Sequence, residues 1–77
     1  MIRILLFAHL KEQLNAEEIT LPFPELTVHQ LRQELKDRYG LSSVSSLMIA
    51  VNEEFATDDE MIREGDVVAL IPPVSGG

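Results

Sequence analysis

One helix has to serve the whole fold. Thr27-x-x-Gln30 is a capping-box pattern, Val28, Leu31, Leu35 and Tyr39 recur at helical spacing, and Gly40 supplies the stop. Glu34 and Arg38 stand four apart on the side that faces solvent, each modestly supporting the helix. The rest of the chain reads mainly as strands and turns. With 77 residues it makes one domain, which buries only about 60% of the surface its unfolded form exposes. A single apolar stripe on a single helix can cover one face of one sheet.

The strands lie at the two ends and in between. Ile2, Ile4 and Leu6 alternate with Arg3, Leu5 and Phe7, marking a strand with one apolar face and one mostly apolar face. Residues 8 to 14 form a short polar connection with room for a helical turn. Glu17 to Leu21 reads as a second strand, halted by Pro22 and Pro24 and paired with the first as a hairpin. After a Ser-rich loop at 42 to 46, Leu47 to Val51 is a short strand, and Asn52-Glu53 is a turn before Phe55. Asp58 to Arg63 is expected to make a helical turn ended by Gly65-Asp66. Val67 to Ile71 is apolar throughout, as expected of a central strand covered on both faces.

This order implies an α+β fold of the β-grasp (ubiquitin-like) type: a mixed sheet of four to five strands, one main helix on one face, and a flexible C-terminal tail. The expected division is residues 1–71 as the domain and 72–77 as the tail. The first and last strands carry more apolar surface than one helix covers. Arg3 is the only polar residue of the first strand, so its face, with Leu5 and Phe7, is expected to lie away from the helix. Leu5 and Phe7 are candidates for a partner-docking patch; the competing reading is that loops cover them internally.

Composition excludes several functions. Hydrophobic residues make up 45% of the chain and charged residues 25%, an ordinary globular balance. There is no cysteine, so neither a disulfide framework nor a thiolate metal site is available, and sulfur cannot be held on a cysteine. Thirteen acidic against six basic residues give a formal charge of −7, which opposes nucleic-acid binding and favours a basic partner. The apolar run from Ile4 to Ala8 is too short for a secretory signal, and no stretch approaches a membrane span, so a cytoplasmic protein without membrane contact is expected. His9 and His29 have no third ligand at suitable spacing, so no metal site is assigned. The acidic segment of Glu53, Glu54, Asp58, Asp59 and Glu60 reads as a solvated loop without an EF-hand pattern, and Asp66 as a turn residue. No phosphate loop is present, so the chain itself binds no cofactor.

The C-terminal residues are the candidates for chemistry, the competing reading of two terminal glycines being a frayed end. Pro72-Pro73-Val74-Ser75-Gly76-Gly77 begins with two prolines that fix φ and favour an extended course, so six residues reach roughly 19 Å. Val74 offers a small apolar anchor. Gly76 and Gly77 present bare backbone that fits a narrow channel, where larger side chains would clash.

With the opening strand, the capped helix and the Gly65-Asp66 turn before a hydrophobic strand, this Pro-Pro-Val-x-Gly-Gly ending resembles the small, sulfur-carrier subunits of molybdopterin synthase, end to end. Ile71 stands where that family often has an aromatic residue. The resemblance implies that an ATP-using, ubiquitin-activating-like adenylyltransferase adenylates Gly77 and that sulfur from a donor protein replaces AMP. The resulting thiocarboxylate then helps build the molybdopterin dithiolene from cyclic pyranopterin monophosphate. It also implies a heterotetramer of two small and two large subunits, with residues Pro72 to Gly76 inserted into the large subunit. Catalytic side chains would reside there, so this chain alone would be no enzyme. The alternatives are a sulfur carrier for thiazole synthesis or tRNA thiolation, a ubiquitin-like modifier conjugated through Gly77, and an interaction module with an inert tail.

Overall fold

The computed structural model describes residues 1–41 and 44–72. Strand β1 (Ile2–Leu6) is followed by the short helix α1 (His9–Leu14), which buries Leu10, and by β2 (Glu18–Leu21). β3 (Glu25–Thr27) leads directly into the main helix α2 (Val28–Tyr39). A 3-10 turn at Val44–Ser46 precedes β4 (Met48–Val51), β5 (Glu54–Phe55), β6 (Met61–Arg63) and β7 (Val67–Ile71). Five strands form one mixed sheet in the order β2-β1-β7-β4-β5, so the β-grasp expectation holds.

The two chain ends meet at the centre of that sheet. β1 runs parallel to β7, with Ile4 opposite Val68 and Leu6 opposite Leu70, while β2 and β4 pair antiparallel on either side. Alternation then sorts the side chains by face. Ile2, Ile4, Leu6, Ile19, Leu21, Ile49, Val68 and Leu70 share one core cluster with Val28, Leu31 and Leu35 of α2. The hairpin expected of β1 and β2 is an antiparallel pair, joined through α1 rather than a tight turn.

The helix boundaries follow from their caps. The Thr27 side chain accepts from the Gln30 N–H at 3.1 Å, and the Gln30 side chain accepts from the Thr27 N–H at 2.8 Å. At the other end Gly40 has a φ of 64°, and its N–H bonds Lys36, satisfying a last-turn carbonyl. Asn52 and Glu53 have φ of 52° and 70°, the pair of positive values that a two-residue hairpin turn between β4 and β5 requires.

The expected helical turn at 58 to 63 is not there. Met61–Arg63 is instead a strand, antiparallel to Glu25–Thr27, with Leu26 opposite Ile62. These two strands form a separate two-stranded sheet. The physical reason is that Ile62 is fully buried, as is nearly all of Leu26, so the pair closes one end of the core. A three-residue alternation is too short to announce itself in sequence. The Val28 and His29 N–H groups, left without partners inside the helix, donate to the Glu60 and Asp58 carbonyls at 3.0 Å each, which ties this added segment to α2.

Two stability measurements test this account. Thr27→Ala should lower the free energy of unfolding by about 1 kcal/mol, read as a lower denaturant midpoint with unchanged slope. Ile62→Ala should cost about 2 to 5 kcal/mol, whereas an exposed helical turn would tolerate it almost unchanged.

Candidate functional site

Among the described residues, the sheet face away from α2 leaves several large apolar side chains exposed. Register places Leu5, Ala69 and Ala50 in one row across β1, β7 and β4, with Phe55 of β5 opposite Ala50. In the next row Ile71 lies opposite Met48, and Phe7 follows Leu6, whose partner is Leu70, so it stands level with Ile71. Phe55 is 64% exposed, Val67 50%, Phe7 48% and Met48 43%. Leu5 is partly exposed and shares the Arg3 side of β1, as the alternation predicts. Internal cover by loops therefore does not apply to Phe7.

Phe7 stands outward beside an unusual backbone. Ala8 has φ 55° and ψ −134°, a conformation that costs a residue with a Cβ about 1 to 3 kcal/mol. It turns the chain from β1 into α1 immediately after Phe7.

Polar groups edge the apolar rows. Arg3 donates from Nε to Glu18 at 3.0 Å and from a terminal nitrogen at 3.2 Å. These hydrogen bonds, then the guanidinium charge, hold the Glu18 carboxyl below its ordinary range. At the base of β7 the Asp66 carboxylate accepts from the Arg63 N–H at 2.8 Å and from Asn52 Nδ2 at 3.1 Å. The same two bonds depress its pKa. Asn52 Oδ1 in turn accepts from the Val67 N–H at 3.0 Å, so this network ties the β4–β5 turn to the turn that precedes β7. Asp66 is a turn residue, as its sequence context indicates.

Pro72 follows Ile71, the residue of the central strand β7 that shares a row with Phe7 and Met48, and it is buried. Pro73, Val74, Ser75, Gly76 and Gly77, to which the sequence assigns insertion and reaction, lie outside the described residues. The face and the root of the tail thus adjoin. Met48 and Phe55 were not singled out by sequence reasoning. The signal was present in the Met48-x-Ala50 alternation and the two-residue turn before Phe55, but it needs the β4–β7 register to be read. Among the described residues no group of His, Asp and Glu is placed to hold a metal ion, and no helix is long and apolar enough to cross a membrane. His29 Nδ1 lies 3.9 Å from Asp58.

Comparison with known proteins decides the family. The ThiS family matches residues 4–77. The chain belongs to the ThiS family. It is 39% identical over 83 residues to the molybdopterin synthase sulfur carrier subunit of Escherichia coli strain K12, with 100% of each chain covered. The crystal structure of SAMP1 from Haloferax volcanii superposes with a TM-score of 0.78 at 28% identity, covering 99% of this chain and 98% of that one. A Helicobacter pylori complex of subunits 1 and 2 of molybdopterin-converting factor contains the same fold, with a TM-score of 0.69 at 24% identity and coverage of 99% and 97%. The ubiquitin-like fold expected from the element order is the fold of this family.

Acid should weaken the protein through these carboxylates. Asp66 and Glu18 have folded pKa values depressed below their ordinary 3.8 and 4.5, so both contribute stability above those values and lose it as pH falls through the folded ones. The urea midpoint should therefore drop as pH is lowered from 5 towards 2, and Asp66→Asn should make that drop shallower.

Proposed function

We propose that this protein is the sulfur-carrier subunit of a molybdopterin synthase, acting in the cytoplasm through a thiocarboxylate on Gly77. The observation that carries the reading is the end-to-end match to a relative of that name, within a family match that runs through Gly77. The resting carboxylate is a poor electrophile. An adenylyltransferase joins it to AMP from ATP with release of pyrophosphate, and sulfur at the hydrosulfide level from a donor protein displaces AMP. The new thiocarboxylate sulfur attacks a carbon of cyclic pyranopterin monophosphate and displaces an oxygen substituent from it, the C–O bond breaking as the C–S bond forms, and water then cleaves the acyl–sulfur bond. Sulfur stays on the substrate, and Gly77 returns as a carboxylate. A dithiolene needs two such cycles.

The chain's own residues bind and deliver. Leu5 and Phe7, with Met48, Phe55 and Ile71, offer an apolar face for the large subunit, and the tail leaves from its margin. Pro72 and Pro73 direct the tail, Val74 anchors it, and Ser75 and Gly76 keep it narrow. The large subunit supplies the catalytic side chains, in a heterotetramer of two small and two large subunits. ATP belongs to the activating enzyme. Net charge of −7 favours basic surfaces on these partners.

Deleting Gly77 should leave the denaturant midpoint unchanged and abolish sulfur transfer in a reconstituted synthase. Intact mass of the protein from its native source should reveal a fraction carrying one sulfur in place of one oxygen at Gly77. Branched adducts on substrate lysines with an unmodified terminus would favour the modifier reading instead.

A further inference from the structure

Arg32 is unlike the other arginines of this chain. Its side chain is only 14% exposed, and it projects from α2 towards the start of β4. One terminal nitrogen donates to the carbonyls of Val44 at 2.6 Å and Leu47 at 2.8 Å, while Nε donates to Asp58 Oδ1 at 2.9 Å. Asp58 is itself fixed, because its carbonyl accepts from the His29 N–H. One guanidinium therefore ties the 44–47 segment to a post anchored on the helix. That segment leads directly into Met48, the exposed residue in the row with Ile71 and Phe7.

We infer that Arg32 is a positioning residue for the docking face: through the segment that precedes β4 it holds Met48 in place for the partner. The inference rests on the reading of that face as the docking surface. The chemistry demands arginine, since three acceptors in a fork suit a guanidinium, whereas a lysine ammonium is a compact point charge on a flexible stem. Without the tie, the two carbonyls turn to water and the segment before β4 moves more freely, so binding must order it first.

A double-mutant cycle on binding to the large subunit from the same organism separates this role from general destabilisation. Arg32→Met should weaken binding by roughly tenfold in the otherwise unchanged protein, as loss of charge-assisted bonds suggests. In a Met48→Ala background the same change should cost about twofold or less, because the residue it positions is gone. In a Phe7→Ala background the full effect should persist, since Phe7 lies two strands away, about 10 Å. Asp58→Asn, a milder change that keeps the side chain's shape, should reproduce the pattern at smaller amplitude. A general loss of stability would weaken binding equally in all three backgrounds, and that result would overturn the inference, as would no weakening in any. If Phe7→Ala and Met48→Ala both bind as tightly as the unchanged protein, the docking surface itself is wrong and the inference falls with it.

Discussion

The parallel pairing of β1 with β7 organises everything else in this domain. It brings the two ends of the chain side by side at the middle of the sheet and sets Ile4 against Val68 and Leu6 against Leu70. Because strand side chains alternate, that register assigns every residue of both strands to a face at once. One face receives Val28, Leu31 and Leu35 of α2 and becomes the core. The other face, among the described residues, leaves Phe7, Met48, Phe55 and Val67 exposed. A slip of one residue would exchange the two sets and leave isoleucines in water.

The same pairing places the functional parts. Since β7 is central, Pro72 departs from the middle of the sheet rather than from an edge, directly after Ile71, which shares a row with Phe7 and Met48. A partner that covers those rows has the root of the tail within its footprint. Under the proposed function, this geometry suits a carrier whose own contribution is surface and reach, with reactive side chains supplied by the partner. The polar interactions support it from the margins. The Asn52 and Asp66 network ties the β4–β5 turn to the turn that precedes β7, and Arg32 with Asp58 holds the approach to β4. None of these groups has to take part in chemistry to matter for it.

Much of this was legible in the residues, for identifiable reasons. The capping box, the helical spacing and Gly40 gave both ends of α2, since each is a local rule acting over three or four residues. Asn52-Glu53 was legible as a turn because two-residue hairpins demand positive φ. The segment from 58 to 63 was misread because its strand is three residues long and exists only through its pairing with Glu25–Thr27. Local pattern cannot register a partner some thirty-five residues away in sequence. Leu5 was placed correctly from the position of Arg3 alone, while Met48 and Phe55 were missed because their face depends on pairing with β7.

By itself the sequence determined the main helix and its boundaries, the surplus of apolar surface, the acidic charge and the Pro-Pro-Val-Ser-Gly-Gly ending. These are properties of composition and of contacts close along the chain. The tertiary structure decided which rows share the face away from α2, that the small β3–β6 sheet closes the core, and that Arg32 spans three acceptors. Those depend on strand register and on long-range hydrogen bonds, which join residues far apart in the chain and leave no periodic mark within either segment.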